Sequence, residues 1–183
     1  MRVELIRCLL ICLVLLFFLS PAARGQDITL FAGGQMPGSV TTQELLLALD
    51  NGPIYGVRIS TGFAAFLGLE HTFAFSNDFL FPNQQPGVNR SKGFLFNSNL
   101  LANIPAGKVV PYATIGLGLI HQYGSENLPV GTKFAVNYGG GLKFPKLHGP
   151  AGLRFDARGY TATSVFLRSV NIFEISGGLL ISF

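Results

Sequence analysis

The chain has 183 residues, of which 49% are hydrophobic and only 12% charged. An ordinary soluble domain carries about 25% charged residues, so this chain cannot cover a water-facing surface in the manner of a typical cytosolic enzyme. The hydrophobicity also excludes disorder. The formal charge of +4 comes from Lys and Arg scattered singly, without a basic cluster or a stacking motif, so no nucleic-acid partner is expected.

Chain order begins with an export signature. Arg2 and Arg7 form a positive start, Cys8 to Leu19 is an unbroken apolar run, and Ser20-Pro21 ends it. Ala23 and Gly25 then place small residues at −3 and −1 of a cleavage point before Gln26. The run falls short of the ~20 residues that span a bilayer as a helix. Residues 1–25 are therefore expected to be a signal peptide, with 26–183 as the mature domain. Both cysteines, Cys8 and Cys12, lie in the signal, and Ile11 stands where a lipoprotein signal needs a small residue. Disulfide, thiolate-metal and Cys-nucleophile chemistry drop out together. Without Arg2, Arg7, Arg24 and Glu4 the mature chain is nearly neutral.

No later segment is apolar for long enough to be a membrane helix. Stretches of roughly ten residues with period-2 alternation recur instead, broken by Gly, Pro, Asn and Asp. They cover 27–35, 54–62, 66–76, 93–104, 109–121, 132–144, 150–160 and 171–183, each near the ~9–11 residues of a tilted bilayer-spanning strand. The gaps alternate between long (36–53, 77–92, 122–131, 161–170) and short (63–65, 105–108, 145–149). That rhythm fits an even-numbered up-and-down barrel with both termini on the short-turn side and the long loops outside the cell. Thr41 to Leu49 reads either as a short helix at the rim or as a strand extension.

The two faces of each strand differ in kind. In the last segment Phe173, Ile175, Leu179, Ile181 and Phe183 share one face, opposite Ile172, Glu174, Ser176, Gly178, Leu180 and Ser182. In 132–144, Phe134, Val136, Tyr138, Leu142 and Phe144 oppose Ala135, Asn137, Gly139, Gly141 and Lys143. A lipocalin would turn the apolar face inward around a ligand. The membrane arrangement turns it outward, and three features favour that version. Charges are too few for a wet exterior, and small residues suit a narrow lumen. The charges on the small-residue face also balance, with Arg58, Lys143, Arg154 and Arg158 against Glu70, Asp156 and Glu174. The expected fold is all-β, an eight-stranded antiparallel up-and-down transmembrane β-barrel. These seven residues are the candidate lumen cluster, either a paired plug or the wall of a gated ion path or ligand-binding lumen.

Three stretches carry a family likeness: Pro111-Tyr-Ala-Thr-Ile-Gly-Leu-Gly118, Phe134-Ala-Val-Asn-Tyr-Gly-Gly-Gly-Leu-Lys143 and Gly152-Leu-Arg-Phe-Asp-Ala-Arg-Gly-Tyr160. With the ending Ser176-Gly-Gly-Leu-Leu-Ile-Ser-Phe183, the chain resembles the outer-membrane β-barrel family that includes OmpA-like and OmpW-like eight-stranded proteins. The resemblance implies an outer-membrane location, surrounding lipid, and a C-terminal strand read by the barrel-insertion machinery through Leu179, Ile181 and Phe183. It marks function poorly, since the family holds structural anchors, narrow channels, adhesins and lipid-modifying enzymes. The expectation is a non-enzymatic structural or surface-contact protein whose outside partner is not named by the sequence. A channel for small or hydrophobic solutes and a lipid-modifying enzyme are the alternatives.

Other motifs carry less. A deacylase-like reading pairs His121 with Ser125 and Glu126, but the compact His-x-Ser pattern is missing. His71, His121 and His148 match no metal spacing. Gly139-Gly-Gly141 with Lys143 lacks the Gly-Lys-Ser/Thr and helix of a phosphate loop, and Asn89-Arg90-Ser91 is a chance glycosylation tripeptide. No catalytic residue, cofactor or metal is expected.

Overall fold

The computed structural model describes residues 26–38, 40–41, 46–47, 51–64, 66–79, 91–124, 131–165 and 168–183. The expected signal, 1–25, lies outside them. Eight long strands form the wall: β1 (Gln26–Pro37), β2 (Gly52–Gly62), β3 (Leu67–Ser76), β4 (Lys92–Asn103), β5 (Val110–Tyr123), β6 (Thr132–His148), β7 (Ala151–Val165) and β8 (Arg168–Ser182). Each pairs antiparallel with its chain neighbours, and β8 closes on β1. Closure removes the sheet edge, which hydrocarbon cannot satisfy.

The stagger is readable from the pairing. Met36 lies opposite Phe173, which leads through Gly159, Tyr138, Ile115, Leu100, Leu69 and Thr61 back to Gln26. One circuit therefore slips ten residues along β1, from 36 to 26. Such a shear tilts the strands by ~35–45°, and an eight-stranded barrel encloses only enough room for side chains.

Alternation sorts the side chains as a bilayer demands. Leu117, Phe134, Phe155 and Ile175 point outward and are 67%, 73%, 52% and 54% exposed, whereas Arg58, Glu70, Arg154 and Glu174 are fully buried inside. The inward-apolar soluble alternative is thereby ruled out. Inside, the lumen is layered. Towards the long loops Ile54, Ala74, Leu95, Ile120, Ala135, Tyr160, Ala162, Val170 and Ile172 form an apolar layer. Phe79 joins it from beyond the end of β3, with its ring where a side chain on Gly93 would stand. Gln122 donates to Phe79 O at 3.3 Å and to Ser91 Oγ at 2.8 Å, and Ser91 in turn donates to Phe79 O. The charged residues lie below this layer.

Two connections differ from the sequence reading. The span 161–170 is mostly strand, because β7 continues to Val165 and β8 begins at Arg168. Ala162 opposite Val170 and Thr161 opposite Asn171 prolong the ladder, and Thr161 donates to Asn171 Oδ1 at 2.8 Å. The span 145–149 is likewise mostly strand. β6 runs to His148 through a bulge in which Lys146 takes a positive φ of 54°, and Gly149, at φ 61°, makes the turn. In the segment left open as helix or strand, Val40–Thr41 pairs with Leu46–Leu47 as a two-residue ladder.

Candidate functional site: the lumen charge network

Strand β7 supplies Arg154, Asp156 and Arg158, three inward positions in succession. β8 sets Glu174 opposite Arg158. Across the lumen, the β2–β3 hairpin brings Arg58 and Glu70, the latter opposite Ser60. Closure of the barrel makes these six meet, three guanidinium groups against three carboxylates.

Asp156 is the hub. It lies 3.2 Å from Arg58, 3.0 Å from Arg154 and 2.8 Å from Arg158. Glu70 bridges Arg154 and Arg158, each at 2.6 Å through a different oxygen. Glu174 binds Arg58 at 2.5 Å and accepts from Tyr160 and Ser176, each also at 2.5 Å. Tyr112 donates to Asp156, and Ser60 donates to Glu70 at 3.0 Å. Two cation–π contacts add to this: the Arg58 guanidinium sits 3.5 Å over the Phe31 ring and that of Arg154 4.6 Å over Tyr112. With its oxygen turned toward Arg158 Nη1 at 3.2 Å, the Asn99 amide extends the network to β4. Buried charge is tolerated only when paired and hydrogen-bonded, and here each carboxylate is engaged by guanidinium and hydroxyl donors.

Lys143 stands apart. It pairs with Asp27 at 3.0 Å near the short-turn mouth, and Asp27 also accepts from Ser182 at 2.8 Å. Sequence reasoning missed Asp27, which sits at the very start of β1, and also Tyr112, Ser60 and Ser176 as polar partners. The signal available for them was parity, since all lie in phase with inward residues of their strands.

The remaining candidates are dispersed. His71 faces outward with Nδ1 2.8 Å from Ser98 Oγ, its ring stacked on Phe96. His121 lies 2.7 Å from Thr132 Oγ1 and stacks on Tyr123, while Ser125 and Glu126 lie outside the described residues. Among the described residues no group of three or more His, Cys, Asp or Glu could hold a metal. Leu179 and Phe183 face outward, 49% and 72% exposed, and Ile181 is half-buried on the same face.

No protein-family model matches the chain, and no curated protein matches it. Solved structures do. Neisserial surface protein A superposes with a TM-score of 0.65 at 15% identity, over 87% of this chain and 97% of that one. The outer membrane protein OprG of Pseudomonas aeruginosa gives 0.60 at 10% identity, over 88% and 97%. The chain has the fold of the eight-stranded outer-membrane β-barrels. Its likeness to these barrels is one of fold. The outer membrane enzyme PagL has the same architecture, with a TM-score of 0.51 at 14% identity over 85% of this barrel and 98% of that chain. Barrels of this shape thus include a surface protein and an enzyme, and shape does not choose between such roles.

Proposed function

We propose that this barrel is a non-conducting, non-enzymatic structural or surface-contact element of the outer membrane, its lumen plugged by paired charges. The observation that carries the reading is the six-membered network spanning the lumen from β2 and β3 to β7 and β8 beneath an apolar layer. An ion crossing it would have to displace arginine–carboxylate bonds and then enter a predominantly apolar layer. On this reading the surrounding partner is outer-membrane lipid, and Leu179, Ile181 and Phe183 are the strand end that the insertion machinery reads. The long-loop side is where a contact partner would bind. Planar-bilayer recording tests the proposal: the purified barrel should insert without discrete conductance steps. Reproducible steps would replace the plug with the channel alternative, and altered lipid A in cells carrying the protein would replace it with the enzyme alternative.

A further inference from the structure

The lumen's two sides differ in how completely their polar groups are matched. Among the described residues, seven buried side-chain atoms have no hydrogen-bonding partner in the protein, and five of them belong to Thr29, Arg58, Thr72 and Asn97. All four residues are fully buried. Their pairing makes one row across four neighbouring strands: Thr29 opposite Arg58, Arg58 opposite Thr72, and Thr72 opposite Asn97. The unmatched atoms are the two threonine hydroxyls, Arg58 Nε and both ends of the Asn97 amide. The β5–β8 side holds Thr114, Asn137, Arg154, Asp156, Arg158, Glu174 and Ser176, and none of these has such an atom. Chance mismatch would not collect on one wall in unbroken register.

We propose that the β1–β4 wall carries a file of ordered water, entered from the short-turn mouth and ending beneath the apolar layer. The chemistry of the row selects water over an ion. Arg58 Nε and Asn97 Nδ2 can only donate, Asn97 Oδ1 can only accept, and the hydroxyls do either, so a ligand must both give and receive. The six-charge network is already balanced, and a lone ion beside it would be an uncompensated buried charge. Buried waters typically make about three hydrogen bonds to groups of this kind. Access is provided below: a cavity of about 260 Å³ at the short-turn mouth is lined by Ser60, Asp27, Lys143 and Asn103. Ser60 lies one inward position below Arg58 on β2, and the side-chain Oδ1 of Asn103 is another of the seven unmatched atoms. Above Asn97 the next inward residue of β4 is Leu95, fully buried in the apolar layer, where the file stops. The interior is thus wet from one end and sealed at the other, which goes beyond a plug that merely fills the lumen.

Water-to-protein magnetisation transfer on the full barrel in detergent micelles tests this without altering the protein. Cross-peaks to water are expected at Arg58 Hε and at the Asn97 side-chain amide. A second measurement uses silver ion, which is small enough to follow water, on the otherwise cysteine-free mature chain. Thr72→Cys should be modified in the folded barrel, and Leu95→Cys should not. Absence of water cross-peaks at both groups would overturn the proposal. So would equal modification of the two cysteine variants, either as a dry wall if both resist or as an open pore if both react.

Discussion

At the residue scale, position decides what a charge contributes. Arg154 is fully buried, ties Glu70 to Asp156, and receives no help from solvent. Arg154→Ala leaves two carboxylates short of a partner, a type of change that costs ~3–5 kcal/mol when the pair is fully buried. Urea unfolding in detergent should show that loss, while Lys108→Ala in the exposed β4–β5 turn should leave the midpoint in place. Equal midpoints for the two variants would mean that the network does not hold the lumen together. The Lys143–Asp27 pair provides an internal contrast. Its aspartate side chain is 23% exposed and borders the mouth cavity, so water can replace the missing partner. Asp27→Asn should therefore cost less than Arg154→Ala, although the Lys143 side chain is only 6% exposed. A loss as large as that of Arg154→Ala would show the mouth to be as dry as the centre.

At the element scale, strands depend on what their ends do. Phe79 is the one apolar-layer residue contributed from outside the eight strands among the described residues, and its ring is fully buried. Phe79→Ala should destabilise by ~3–5 kcal/mol, as large-to-small changes of buried aromatics do, measured by the same unfolding assay. No change would mean that its burial adds nothing to the layer. The other strand end, at Phe183, is mostly exposed, with its amide donating to Gln26 O. Deleting Phe183 should lower outer-membrane levels in cells yet leave folding of purified protein into detergent intact; unchanged cellular levels would show that this end is not read during assembly. The elements were legible where alternation is sharp. Phe173 beside Glu174, or Phe155 beside Arg154, leaves no doubt about period or face. Legibility failed where contrast fades: Thr161-Ala162-Thr163-Ser164 has no polar–apolar alternation in its sequence, so the β7–β8 ladder there read as loop. It failed also where structure depends on distant pairing. The lysine of the Lys143–Asp27 pair was visible by parity, but its partner lies 116 residues away and is brought near only by closure. Phe79 follows the end of a strand and has no periodicity to reveal that it turns inward.

At the scale of the whole molecule, one bonding event makes the barrel. β8 pairs with both β1 and β7, so the first strand and the last stabilise each other across the full chain. Within hydrocarbon an open edge would expose backbone groups at several kcal/mol each, and along a strand these costs add. A barrel opened at this seam is therefore far less stable than the closed one. The closed form should persist in sodium dodecyl sulfate until heated, and its compactness should make an unheated sample migrate differently from a heated one. A chain ending at Val165 keeps seven strands and loses Glu174, the partner of Arg58 and Tyr160. It is left with edges at β1 and β7 and with three lumen arginines against two carboxylates. This shortened chain should migrate identically before and after heating, and should be rapidly degraded by added protease in detergent. If it kept a heat-dependent shift and resisted protease, closure through β8 would not be what holds the barrel, and the stability would have to reside in the hairpins themselves.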